Sequence, residues 1–213
     1  MIHYAAADGS GTLLVLAHGA GAGQRHPFMV KVARALADRG IDVVTFDFPY
    51  MQQKRKAPDK APVLEAAFRS AIDEARALVG ATQAVFIGGK SMGGRIATRL
   101  AAAWGDREGR PVQQKGQAGP LRGVIALGYP LHPPGKPDQP RTAHLPSIDV
   151  PILIVQGERD AFGTPDELRP VIRTMQSPVT LHVVEGGDHS LAVRRATDYA
   201  GIADAVAGWI QAG

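Results

Sequence analysis

The chain has 213 residues, 45% of them hydrophobic, which is enough for one domain over 1–213 that buries a sheet on both faces. It has no cysteine, so disulfides, thiol catalysis and Cys-ligated metal are excluded, and a reducing compartment fits. The net charge of +4 raises the question of nucleic acid, but the densest basic stretch, Lys54-Arg55-Lys56 with Lys60, contains Pro58 and no stacking aromatic beyond Tyr50; it reads as solvated surface. The other arginines fall singly on the expected outer faces of helices.

Met1-Ile2-His3-Tyr4 lacks the basic stretch and apolar core of a signal peptide, and no run is long enough to span a bilayer. A cytoplasmic protein without a membrane or nucleic-acid partner is expected. Thr12–Ala17 (TLLVLA) is a continuous apolar run, the mark of a strand buried on both faces. Pro27–Arg39 then places Met29, Val32, Ala33 and Leu36 on one helical face, with Gly40 as a stop. Asp42–Phe48 is the next strand. Pro62–Val79 aligns Leu64, Phe68, Ile72, Ala75 and Val79 on a stripe closed by Gly80.

Ala84–Gly88 is a strand and Met92–Trp104 a helix turning Ile96, Leu100 and Trp104 inward. Arg122–Gly128 and Ile152–Gln156 are two further buried strands. Between them lies Pro130–Val150, Pro-rich with two histidines, the one long irregular stretch. Thr164-Pro165-Asp166-Glu167 reads as a capping box opening a helix through Met175, which Pro170 should kink or shorten. Val179–Val184 is the last strand, and Tyr199, Ile202, Val206 and Trp209 stripe a C-terminal helix. Strands alternating with helices imply right-handed crossovers and a mostly parallel sheet.

Gly89-Lys90-Ser91-Met92-Gly93 matches G-x-S-x-G, with a strand running in and a helix leaving. A serine on so sharp a turn needs small neighbours two residues either side, and the helix N-terminus then faces a developing oxyanion. A chance Gly-Ser turn would not have both elements on the correct sides. A phosphate-binding loop would need a glycine at position 84, which is Ala84 within a strand-like run.

On such a fold the nucleophile, acid and base follow in that chain order. Asp160 lies just beyond the strand Ile152–Gln156, where carboxylates of open α/β sheets do their chemistry, with Glu158 as competitor. His189 follows the last strand and is delivered to the same sheet edge. His182 lies within a strand, and His132 and His144 precede the acid's strand, so each is a weaker base. One oxyanion donor is the N–H of Met92; the other comes from the turn His18-Gly19-Ala20-Gly21-Ala22-Gly23, with Ala20 first and Gly21 in reserve. His18 shapes that turn. Lys90, beside the nucleophile, either serves structure or draws anionic substrates.

The blocks LAHGAGAG, FDFPYM, GGKSMGGR, GYPLHPPGKP, VQGERDAFG and GGDHSL together resemble the small bacterial α/β-hydrolase family related to testis-expressed hydrolase-like proteins, near the dienelactone hydrolase group. The resemblance runs from the first long strand to the C-terminal helix. It implies an α/β-hydrolase fold, without a cap here, and a triad at Ser91, Asp160 and His189. Dienelactone hydrolases carry Cys at the elbow where this chain has Ser91. The expected function is a serine esterase or thioesterase on a small-molecule ester or thioester, with no metal or organic cofactor. The alternatives are a non-catalytic binding or scaffold protein, and an acyltransferase or haloperoxidase-like enzyme on the same triad.

Overall fold

The apolar runs become strands of one sheet. The computed structural model describes residues 1–7, 11–79, 84–104 and 120–212. The elements are, in order, β1 (Ile2–Tyr4), β2 (Thr12–Ala17), α1 (Pro27–Ala37), β3 (Asp42–Phe46), α2 (Pro49–Gln52), α3 (Ala61–Val79), β4 (Ala84–Lys90) and α4 (Met92–Ala102). They continue with β5 (Leu121–Leu127), β6 (Ile152–Gly157), α5 (Pro165–Ile172), β7 (Val179–Val184), β8 (Ala192–Val193), β9 (Ala196–Thr197) and α6 (Tyr199–Ala212). Seven strands form a sheet in the order β1-β3-β2-β4-β5-β6-β7. All its pairings are parallel except β1 on β3.

Alternation along each strand feeds two cores. Leu13, Val15 and Ala17 of β2 pack with Leu64, Phe68 and Ile72 of α3 and Ile96 and Leu100 of α4. Leu14 and Leu16 face the opposite way, toward Met29, Val32 and Leu36 of α1 and Ile202 and Val206 of α6. Helices on both faces explain why the central strands read as unbroken apolar runs.

Several expected boundaries move. The strand predicted over Asp42–Phe48 ends at Phe46, because Pro49 opens the short helix α2. The strand before the elbow extends to Lys90, one residue from the turn. α4 stops at Ala102, leaving Trp104 beyond the helix, packed on the core under the Arg69 guanidinium. The capping box of α5 forms as expected, with the Thr164 N–H donating to Glu167 and the Glu167 N–H to the Thr164 hydroxyl. With Pro170 inside it, α5 ends at Ile172 rather than Met175. Gly40 adopts φ +80°, as a helix stop requires. Gly80 lies outside the described residues.

β5 and β6 are joined by residues 128–151, which hold only one 3-10 turn, Leu145–Ser147, and no cap. This stretch is irregular but not loose: Leu131, His132, Leu145 and Ile148 are buried. Among the described residues no helix is long and apolar enough to cross a membrane.

Candidate active site

The G-x-S-x-G turn is built as its glycines require. Ser91 sits at φ 50°, ψ −115°, a left-handed conformation costly for a residue with a side chain. The Ser91 N–H donates to the Leu127 carbonyl at 2.9 Å, tying the turn to β5. A Cβ on Gly89 would lie 2.5 Å from the Gly93 backbone, and one on Gly93 would strike the Ala17 carbonyl. Both positions must be glycine for the elbow to close over the end of β2.

Three loops meet here from β4, β6 and β7. The Ser91 Oγ lies 2.8 Å from His189 Nε2. His189 Nδ1 lies 2.8 Å and 2.9 Å from the two Asp160 carboxylate oxygens. An ionised carboxylate only accepts, so Nδ1 carries the proton and Nε2 presents a lone pair to the serine hydroxyl. The structure brings Ser91, His189 and Asp160 together in one hydrogen-bonded set.

Asp160 is 1% exposed, so its charge must be met by donors. Besides His189 it accepts the Phe162 N–H at 2.8 Å and the Gln156 side-chain amide at 2.9 Å. Gln156 was missed from the sequence, where it reads only as the end of a strand. It is fully buried; its oxygen accepts the Tyr129 N–H at 2.7 Å, and its amide also reaches the Tyr129 and Gly163 carbonyls. The Phe162 ring stacks on His189 with centroids 4.0 Å apart. Gly157 lets the base loop cross the end of β6, since a Cβ there would lie 2.6 Å from the Gly187 carbonyl.

The competitors have other partners. Glu158 is exposed and accepts the Gly186 N–H at 2.7 Å, bracing the base loop from outside. His132 is buried against the Pro133 carbonyl and Glu167. His182 is exposed on β7. His144 lies 2.9 Å from the Thr98 hydroxyl, whose own proton goes to the Arg95 carbonyl; His144 Nε2–H is therefore the donor. Burial, with Arg99 and Arg95 nearby, pushes His144 down to about 4.

The turn after β2 is held from behind. His18 is fully buried; its Nε2 accepts the Phe48 N–H at 3.1 Å, so its Nδ1–H donates to the Gly19 carbonyl at 2.7 Å. Burial lowers its pKa, keeping that neutral tautomer. The Tyr50 hydroxyl donates to the Ala20 carbonyl at 2.8 Å, and burial pushes its pKa up to about 12. In a trans peptide the N–H points opposite the C=O. Pinning the Gly19 carbonyl thus turns the Ala20 N–H away from His18, and pinning the Ala20 carbonyl turns the Gly21 N–H away from Tyr50. Among the described residues neither N–H makes a hydrogen bond. Met92, at the first position of α4, has no intrahelical acceptor.

A cavity of about 610 Å³ lies over these groups, with Ser91, His189, Ala20 and Met92 in its wall and Phe28 and Leu64 at its sides. Lys90 also lines it; its ammonium donates to the His189 carbonyl at 2.6 Å. Burial pulls Lys90 down to about 8, against the attraction of Asp160 and Asp188. Arg95 departs from the expectation of a solvated outer face. It is half-buried in the cavity wall, because α4, with Ser91 as its N-cap, brings the fourth residue after Ser91 back to the side of that serine. That spacing was the available signal. Among the described residues no group of His, Asp and Glu could hold a metal ion.

A parallel sheet carrying a strained serine elbow and a hydrogen-bonded Ser-His-Asp set defines the class as an α/β-hydrolase fold. The family model described as "Alpha/beta hydrolase domain" matches residues 10–207, and the chain belongs to that family. Among solved structures, it is similar to a lidless α/β serine hydrolase from Xanthomonas campestris, at 19% identity and TM-score 0.73, over 98% of this chain and 85% of that one. It is also similar to Est1E from Butyrivibrio proteoclasticus with ferulic acid bound, at 14% identity and TM-score 0.76, over 99% and 93%. Dienelactone hydrolase from Anabaena variabilis superposes at 17% identity and TM-score 0.69, over 98% and 88%. At these identities the likeness is one of fold.

Proposed function

We propose that the protein is a serine hydrolase that cleaves small carboxylic esters or thioesters through an acyl-enzyme. The observation that carries this is the unbroken relay from Ser91 Oγ to His189 to the buried Asp160, each step 2.8 Å. His189 Nε2 takes the Ser91 proton as Oγ attacks the carbonyl carbon, and Asp160 stabilises the imidazolium that forms. The negative charge on the carbonyl oxygen falls to the N–H groups of Met92 and Ala20, each such donor being worth about 3 kcal/mol of barrier. His189 then protonates the departing alcohol or thiol. Water, deprotonated by the same imidazole, releases the acid and restores Ser91.

No step calls for a metal or organic cofactor. The relatives described as serine hydrolases and a dienelactone hydrolase support acyl chemistry on this fold without fixing the substrate. A fluorophosphonate probe tests the reading directly. It is expected to label the wild type and not Ser91→Ala, which should stay folded and lose hydrolysis of 4-nitrophenyl acetate. Wild-type turnover in Ser91→Ala would sink the assignment.

A further inference from the structure

The cavity above Ser91 contains more positive charge than the proposed acyl transfer uses. Arg95 and Arg141 both line it, one from α4 and one from the segment joining β5 to β6. Both are only partly exposed, and among the described residues neither guanidinium has a hydrogen bond or ion-pair partner. The other charged groups near the cavity have contacts of their own. Arg99 is bridged to Glu65, Lys90 donates to the His189 carbonyl, and Asp59, the carboxylate in the cavity wall, gives one oxygen to Arg55 at 2.6 Å while its other, buried oxygen has no hydrogen-bond partner among the described residues.

Two unmatched guanidinium groups facing one partly dry space repel each other. Arg95 accordingly has its pKa lowered, by burial first and by the Arg141 charge second. Yet the backbone holds Arg141 in place: its N–H donates to the Leu131 carbonyl at 2.7 Å, and its carbonyl accepts the hydroxyl of the buried Tyr129 at 2.7 Å. Arg95 is fixed by the helix, its N–H donating to the Ser91 carbonyl at 3.0 Å. Such an arrangement lowers its energy by taking up an anion, and a guanidinium fork fits a carboxylate in two-point contact.

We propose that Arg95 and Arg141 form a carboxylate subsite, so that the substrates are esters or thioesters bearing a second, ionised carboxyl group. This rests on the acyl-transfer reading of Ser91. The carboxylate belongs either to the acyl part, as in a half-ester of a short dicarboxylic acid, or to the leaving group.

The test compares kcat/KM for three esters: neutral 4-nitrophenyl butyrate, the mono-4-nitrophenyl ester of glutarate (anion on the acyl part) and 4-acetoxybenzoate (anion on the leaving group). One of the two anionic esters should exceed the neutral one after correction for intrinsic reactivity, and which one does so identifies the side that carries the charge. Arg95→Gln and, separately, Arg141→Gln should lower that anionic-to-neutral ratio about tenfold to a hundredfold, the range for a lost charge-assisted contact. Arg95→Lys should recover part of it, and added salt should erode it. Equal treatment of neutral and anionic esters by the wild type, or an unchanged ratio in both glutamine variants, overturns the subsite while leaving the hydrolase intact. Should no ester be cleaved, the acyl-transfer reading fails, and calorimetric titration of Ser91→Ala with glutarate decides the subsite. Binding weakened by the added Arg95→Gln upholds it, and absence of binding overturns it.

Discussion

Replacing Gln156 by leucine, a side chain of similar size, isolates what the buried amide contributes. The change removes one charge-assisted donor to Asp160, a bond of a kind worth about 1.5–3 kcal/mol, and leaves the Tyr129 N–H buried without its acceptor, at about 1–3 kcal/mol. Leucine regains part of this through its own burial, so a net loss of about 2–4 kcal/mol is expected. For a domain of this size that is a fall in Tm of about 5–15 °C. Asp160 keeps the Phe162 N–H and His189, so orientation of the base is loosened rather than lost. The kcat for an activated ester should drop about tenfold, far less than the roughly 10⁴-fold of a wrong imidazole tautomer. Urea denaturation and thermal melting read the first number and steady-state kinetics the second. A Tm within 2 °C of wild type (roughly 1 kcal/mol or less) together with unchanged kcat would show that the carboxylate is held without the amide.

Other expectations follow from the same contacts. Asp160→Asn should cut kcat by orders of magnitude, whereas Glu158→Gln, which only loosens the Gly186 contact, should stay within a few-fold; the reverse order would move the acid to Glu158. His144, pushed down to about 4 from an ordinary 6.5, binds its proton in the unfolded chain first, so stability should fall as pH drops from 6.5 to 4, by up to about 3 kcal/mol. His144→Gln should flatten that part of the urea-midpoint profile, and an unaltered profile would contradict the burial argument. With no cap to cover a long chain, kcat/KM among neutral esters should peak at short acyl groups and show no rise at a micelle surface. Activity climbing through long-chain esters would mean that residues 128–151 act as a lid.

The parallel strands and the meeting of Ser91, Asp160 and His189 at one sheet edge were legible for a common reason. A strand buried on both faces must be apolar throughout, and parallel strands deliver their following loops to one edge, so chain order predicts which loops meet. The unread parts lack such a signature. β1 has three residues held to β3 by backbone pairing, and β8 and β9 have two each, too short for periodicity to register. Gln156 is a polar residue in a buried strand whose partners come from Tyr129, Asp160 and Gly163, contacts that no local pattern encodes. Arg95 was read with the other arginines as lying singly on an outer helix face, although its spacing from Ser91 placed it on the side of that serine. His18 was read as shaping its turn, and its two hydrogen bonds do that.

The short tether between β5 and β6 has a kinetic meaning. It forms one wall of the cavity through Pro130 and Arg141, and it is fastened by Tyr129, Leu131 and the buried Ile148 rather than hinged. A tether fastened in this way predicts a site already assembled before any substrate arrives, with no closing motion to await. Solvent friction slows large segment movements but hardly touches proton transfer within a preformed relay. Turnover on a slow ester is thus expected to be indifferent to added sucrose or glycerol, its pace set by bonds more than by motions.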